Sequence, residues 1–193
     1  MESKAPVATK GNERSIITKE YNLKNKLDRK MYTDQTVKFP VTSFCGNQYI
    51  MVLFELDSNN ILVEPMKSRT AGNTILAYQT LVNRLKEKCI HPAMHLLNNE
   101  CSAEMKIAIQ RNGMKYQLVP PHDHIRNIAE KAIHVIKDHF VSVLCGTDEN
   151  FPLQLWCQIL RHAEHQLNLL RKSRVVPTVS AFSHMYGQHN YDA

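Results

Sequence analysis

The sequence predicts an α/β fold in which helices flank one mixed, five-stranded sheet. Apolar and alternating runs first mark three strands in succession, joined by turns of Gly, Asn, Asp and Ser. Helices and further strands then alternate, which gives the order β-β-β-α-β-α-β-α-α. Strands joined by tight turns pair in antiparallel fashion, whereas strands reached through a helix pair in parallel. This order therefore predicts three antiparallel strands followed by two that are reached by helical crossovers.

The first half of the chain contains the three successive strands, which we place at 31–43, 49–56 and 60–65. The second strand, YIMVLFEL, is apolar almost throughout, so we expect it to be central and covered on both faces. A helix follows from about 68 to 88. Its apolar residues recur at helical spacing, and His91-Pro92 end it.

The second half alternates strand and helix. We place a strand at 94–97, a helix up to 112 that Ser102 caps, and a strand at 115–119 that Pro120-Pro121 end. A long helix is predicted at about 127–143 and a last helix at 153–171. The tail from residue 173 has the composition of a loop.

The length and composition bound the class of protein. The chain has 193 residues, which suits one domain with a hydrophobic core. We expect a basic, poorly ordered arm at 1–30, a core domain at 31–172 and a tail at 173–193. No apolar run approaches the roughly 20 residues that span a bilayer, and residues 1–15 lack the apolar segment of a secretion signal.

The cysteines and the charge indicate the compartment and the partner. Five scattered cysteines without a CxxC pair are typical of free thiols in a reducing compartment. We therefore expect an intracellular protein, nuclear or cytoplasmic, with no membrane partner. The formal net charge of +6 favours an acidic partner, with nucleic acid the first candidate.

Three polar positions are candidates for one site. Asp34 lies in the first strand, Asn98 directly follows the strand at 94–97, and Glu130 lies on the long helix. In open α/β sheets the carboxyl ends of the strands are where ligands and metals are usually held. We therefore expect Asp34, Asn98 and Glu130 to converge on one edge of the sheet.

Several separated segments resemble, in order, the catalytic core of copia-type retrotransposon integrases, which have a ribonuclease-H-like fold. The first reads TDQTVKFPVTSFCGNQYIMVLFELDSNNILVEPMKSRT, and the second-acid motif corresponds to HLLNNE. The third-acid segment corresponds to PPHDHIRNIAEKAIHVIKDHF, and LCGTDENFPLQLW and LNLLRKSRVVPTVSA follow it. The resemblance covers roughly residues 30–193. It implies DNA integration, that is, metal-dependent processing of DNA 3′ ends and strand transfer.

The resemblance also implies roles for individual residues. Asp34 takes the position of the first metal ligand and Glu130 that of the third, while Asn98 stands where the family has its second Asp. His134 and Lys137, one and two turns after Glu130, take positions that contact the DNA end. The implied cofactor is Mg²⁺ or Mn²⁺ in a two-metal arrangement, and the implied assembly is a homodimer on DNA.

Asn98 should weaken the binding of the metal ions on which the implied reaction depends. Two-metal phosphoryl transfer holds two divalent ions roughly 4 Å apart, and such ions want anionic oxygen ligands. An asparagine offers one neutral carbonyl oxygen and an NH₂ group that points a donor at the cation. The loss of one formal charge should sharply weaken metal occupancy, so we expect an integrase core with impaired catalysis.

Two other functions remain open at this point. The chain could be a non-catalytic module for DNA binding or oligomerisation that is derived from an integrase, or an unrelated ribonuclease-H-like nuclease. Taken singly, Asp34 is most simply a polar strand residue and Glu130 a solvated residue on the flank of a helix. Their joint placement, together with the resemblance, favours a site.

Overall fold

In a computed structural model of the protein, residues 28–36, 38–98, 101–119 and 124–187 are described, and at 98, 119 and 124–129 only the backbone is described. Nearly all of the predicted arm at 1–30 lies outside the described residues. The elements follow in the predicted order: β1 (Lys30–Gln35), β2 (Tyr49–Glu55), β3 (Ile61–Met66), α1 (Ala71–Glu87), β4 (Met94–Asn98), α2 (Ala103–Arg111), β5 (Lys115–Val119), α3 (His124–Cys145), a 3₁₀ turn (Leu153–Leu155), α4 (Trp156–Leu170) and α5 (Ala181–Tyr186).

The sheet is mixed, as predicted, with the strand order β3-β2-β1-β4-β5. The first three strands pair in antiparallel fashion, β1 pairs with β4 in parallel, and β4 pairs with β5 in parallel. The two strands that follow helical crossovers therefore extend the sheet beyond β1. This arrangement makes β1 the central strand, with the antiparallel part on one side and the parallel part on the other.

Each face of the sheet carries its own hydrophobic core, because successive side chains of a strand point to opposite faces. Tyr32, Val52 and Leu96 pack with α3 and α4 on one face. Met31, Leu53 and Leu97 pack with α1 and α2 on the other. The strand β2, which lies between β3 and β1, is buried on both faces, as expected from its apolar run.

Some element boundaries differ from the prediction. The first strand ends at Gln35 rather than at 43, and the chain then bends so that the Phe39 ring packs on Trp156 with centroids 4.5 Å apart. Pro40 has no N–H group to continue a strand ladder. The helix predicted at 153–171 begins as a 3₁₀ turn at Leu153–Leu155, and α4 follows it from Trp156 to Leu170.

The tail is not simply loop-like. A short helix, α5, begins after Ser180, whose hydroxyl oxygen accepts a hydrogen bond from the Ser183 N–H group at 3.0 Å. The Ala181 carbonyl accepts a hydrogen bond of 2.7 Å from the Asn60 side chain, and Met185 is buried against the α1 side of the sheet. Local propensity does not reveal this helix, because contacts with the core stabilise it.

Side chains of α4 close the outer edge of β3. The Asn168 amide accepts from the Ile61 N–H group at 3.0 Å and donates to the Ile61 carbonyl at 2.8 Å. A carboxylate oxygen of Glu164 accepts from the Val63 N–H group at 2.7 Å, and Arg84 of α1 pairs with the same carboxylate. These contacts satisfy backbone N–H and C=O groups at the edge of β3 that could otherwise pair with a strand of another molecule. Within the described ranges, no helix has the length and apolar character needed to cross a membrane.

Candidate active site at the carboxyl ends of two parallel strands

Asp34 lies next to the end of the central strand. Its backbone pairs with Val52 of β2, and its carboxylate accepts a hydrogen bond of 2.8 Å from the Gln35 N–H group. The side chain is half-buried. Asp34 follows Tyr32 by two residues, so it belongs to the face of the sheet on which α3 packs.

Position 98 is the last residue of the neighbouring strand β4. Its backbone pairs with Val119 of β5, while its side chain lies outside the described part of the structure. On the other side, Tyr32 of β1 pairs with Leu96 of β4. Asp34 and Asn98 each lie two residues beyond that pair, and neighbouring strands are about 4.8 Å apart. If the register of these paired residues continues to the ends of both strands, positions 34 and 98 lie side by side.

Glu130, His134 and Lys137 all lie on α3. Ala132, Ile136 and Phe140 are buried among the residues that cover the Tyr32 face of the sheet, and these three residues hold the helix in place. The side chains of Glu130 and His134 are exposed, and that of Lys137 is half-buried. The helix therefore presents Glu130 from the same side of the sheet that carries Asp34.

The acidic donor set for a divalent metal is incomplete in the described residues. Asp34 and Glu130 are carboxylates, but no group of three or more His, Cys, Asp or Glu side chains that could hold a metal occurs there. One Mg²⁺ ion bound by one or two carboxylates can complete its shell with water. Two ions with a shared ligand need a further anionic oxygen, which an asparagine at position 98 does not supply.

A buried histidine lies in the strands beneath the candidate site, and sequence analysis did not find it. His95 of β4 is fully buried, and its Nε2 atom shares a hydrogen bond of 2.8 Å with the hydroxyl of Thr33, the residue before Asp34. Its ring stacks on Tyr78 with centroids 5.4 Å apart and planes 3° from parallel. Burial lowers the pKa of His95 to about 3. A neutral side-chain contact therefore joins β1 to β4 next to the candidate acid.

An open cavity of about 360 Å³ lies beside Asp34. Gln35, Thr74 and Ser102 line it, together with Arg69. The Arg69 guanidinium donates to the Thr36 carbonyl and lies 5.2 Å from the centroid of the Tyr49 ring, so its position is fixed from two sides. The cavity therefore offers polar and cationic groups next to the acid. The sequence signal was KSRT before α1, which sequence analysis interpreted only as the start of a helix.

Comparisons with solved structures identify the fold. The chain is similar to the catalytic core domain of BIV integrase, with a TM-score of 0.60 and 15% identity over 82% of this chain and 93% of that one. It is also similar to the HTLV-2 integrase catalytic core domain in complex with magnesium in a trimeric form, with a TM-score of 0.60 and 17% identity over 82% of this chain and 97% of that one.

A third similar structure is a simian T-cell lymphotropic virus intasome in complex with the PP2A regulatory subunit B56 gamma. The TM-score is 0.64 and the identity 14%, over 82% of this chain and 54% of that one. No protein-family model and no curated protein matches the sequence. At identities this low the likeness shows the fold alone. The architecture is that of a retroviral integrase catalytic core, with the ribonuclease-H-like arrangement expected from the sequence.

The buried state of His95 predicts a pH dependence of stability. The unfolded chain takes up a proton near the ordinary histidine pKa of 6.5, whereas the folded chain does so only near 3. The contribution of neutral His95 to the free energy of unfolding is therefore complete above about pH 6.5, and it is lost as the pH falls towards 3. Between pH 6.5 and 5, the free energy of unfolding should fall by about 1–2 kcal/mol more in the unsubstituted protein than in His95→Gln.

Urea denaturation at several pH values measures this difference. His162→Gln, which removes an exposed histidine of α4, is the matched control and should follow the unsubstituted protein. If His95→Gln and the unsubstituted protein lose stability in parallel on acidification, His95 is not held neutral in the fold.

Proposed function

We propose that this chain is a copia-type, retrotransposon integrase-like core that binds DNA and has an impaired catalytic site. One observation supports the proposal above all: the parallel pairing of β1 with β4 ends at Tyr32 and Leu96, two residues before Asp34 and Asn98, on the face of the sheet that α3 covers. The similarity to integrase catalytic cores supports it at the level of the fold. The core domain is taken as residues 31–172.

In this proposal Asp34 and Glu130 are the metal-binding carboxylates, and Asn98 occupies the position of the acid between them. The metal would be Mg²⁺ or Mn²⁺, and one of the similar integrase cores is a complex with magnesium. The ions would supply electrostatic stabilisation of the attacking and leaving oxygens in 3′-end processing and strand transfer. With Asn98 the site lacks one formal charge beside those ions, which accounts for impaired rather than efficient catalysis.

The DNA would lie against α3 and the carboxyl ends of β1 and β4. His134 and Lys137 follow Glu130 on the helix, and the net charge of +6 favours a polyanion. No ion pair within the described residues uses Lys137, so its ammonium group is available for a phosphate. The assembly would be a homodimer, as in the related integrases that the sequence resembles.

A non-catalytic DNA-binding or oligomerisation module is the second candidate function. The asparagine at position 98 favours it, because an amide offers a neutral oxygen where the family that the sequence resembles has an acid. Such a module would keep the fold, since the buried cores and the contacts at the edge of β3 do not depend on a metal. The two candidates differ in one measurable property, which is metal-dependent turnover.

Restoring the missing charge should restore activity. We expect strand transfer in Mn²⁺ by the chain with Asn98 to be at or near background, and Asn98→Asp to raise it by on the order of tenfold or more. The measurement is joining of a labelled DNA end to a plasmid. The control is the double variant Asn98→Asp, Asp34→Asn. It has as many acidic residues as the unsubstituted chain but lacks the first metal ligand, so it should be inactive.

That assay, together with a DNA-binding assay and an assay of RNA–DNA hybrid cleavage, distinguishes the three functions. Robust strand transfer by the unsubstituted chain would contradict the proposed impairment. DNA binding without turnover in either chain would favour the non-catalytic module, and cleavage of RNA in an RNA–DNA hybrid would favour the ribonuclease-H-like nuclease.

Lys137 should contribute more to DNA affinity than a lysine at the amino ends of the parallel strands, away from the candidate site. Lys137→Ala should weaken binding by about threefold to tenfold and reduce the slope of log K against log salt by about 1. Fluorescence anisotropy with a DNA duplex over a range of salt concentrations measures both. Lys115→Ala, at the amino end of β5, removes the same charge and is the control. Equal losses in the two variants would contradict an interface on α3.

A further inference from the structure

The loop between β1 and β2 is held against the start of α4. The Phe44 N–H group donates a hydrogen bond of 2.7 Å to the carbonyl of Gln154 in the 3₁₀ turn. The indole N–H of Trp156 donates one of 2.9 Å to the Val41 carbonyl. Residues 41–45 therefore lie alongside residues 154–157, although more than 100 residues of chain separate the two segments.

Each of these two segments carries a cysteine. Cys45 is exposed and directly follows Phe44, while Cys157 is 9% exposed and directly follows Trp156. Both thiols are free, and each cysteine directly follows a residue that forms one of the two hydrogen bonds between the segments. The neighbouring Cys157 thiol raises the pKa of Cys45, and the ammonium group of Lys67 opposes that effect. An exposed thiol and a buried thiol from two distant segments therefore lie near each other.

We propose that Cys45 and Cys157 are a redox modification site, at which a small disulfide such as oxidised glutathione converts the two thiols into an intramolecular disulfide. This modification does not rest on the proposed function, because neither cysteine belongs to the candidate active site.

The step is an ordinary thiol–disulfide exchange. The exposed Cys45 thiolate attacks one sulfur of oxidised glutathione, forms a mixed disulfide and releases one glutathione thiolate, which takes up a proton. The Cys157 thiolate then attacks the Cys45 sulfur and displaces the second glutathione. The protein loses two electrons and two thiol protons, and oxidised glutathione becomes two molecules of reduced glutathione. Cys45 is the attacking residue because its thiol is exposed to oxidised glutathione, whereas Cys157 is buried.

The disulfide would join the loop covalently to α4. It closes a ring between residues that are 157 − 45 = 112 positions apart, and this ring contains β2 to β5 and α1 to α3. Crosslinks that close long loops constrain the unfolded chain most, so the oxidised protein should melt roughly 5–15 °C higher than the reduced protein. The bond connects segments that already touch, so folding of the reduced protein does not require it.

The test is oxidation of the full chain at about pH 8.5 with excess oxidised glutathione, followed by alkylation of remaining thiols and peptide mass spectrometry. We expect one intramolecular link between the Cys45 and Cys157 peptides and a higher melting temperature that dithiothreitol reverses. Cys145→Ser removes another exposed cysteine and is the matched control, which should behave as the unsubstituted protein.

Cys45→Ser should lose both the link and the stabilisation, and because Cys45 is exposed this variant should fold normally. Three results would overturn the proposal: glutathione retained on Cys45, a link that uses another cysteine, or a disulfide between two molecules only. A melting temperature that rises equally in Cys45→Ser would also overturn it.

Discussion

The parallel pairing of β1 with β4 is the constraint on which the candidate site depends. It fixes Tyr32 opposite Leu96, and Asp34 and Asn98 each follow that pair by two residues in their strands. The hydrogen bond between Thr33 and the buried, neutral His95 joins the same two strands one residue before Asp34. A slip of one residue would turn every side chain of a strand to the other face, so this register decides whether a shared site exists at all.

The fold and the candidate chemistry depend on different interactions. The sheet is stabilised by two apolar cores and by polar side chains of α4 that satisfy the outer edge of β3. None of these contacts involves a metal. The fold therefore does not depend on whether a metal site is complete. The placement of Glu130 and Lys137 on α3 likewise follows from apolar packing of Ala132 and Ile136, not from the site itself.

Patterns of nearby residues were enough to predict the sheet, its mixed topology and the strand or helix that carries Asp34, Asn98 or Glu130. Apolar runs, turn residues and helical spacing are local signals, and the order of the elements limits the topology. Contacts between distant residues were not predictable in this way. The Thr33–His95 bond spans 62 residues and the Asn168–Ile61 contacts span 107, so no local pattern indicates them. The same limit applies to the tail helix and to the meeting of Cys45 with Cys157.

The most direct measurement is the anomalous scattering of Mn²⁺ soaked, at one concentration, into crystals of the unsubstituted protein and of Asn98→Asp. We expect Asn98→Asp to show a peak between the carboxylates of Asp34 and Glu130, and the protein with Asn98 to show a much weaker peak or none. Equally strong peaks in both proteins would contradict a site disabled by the lost charge. Carboxylates of residues 34 and 130 too far apart to share an ion would contradict the site itself.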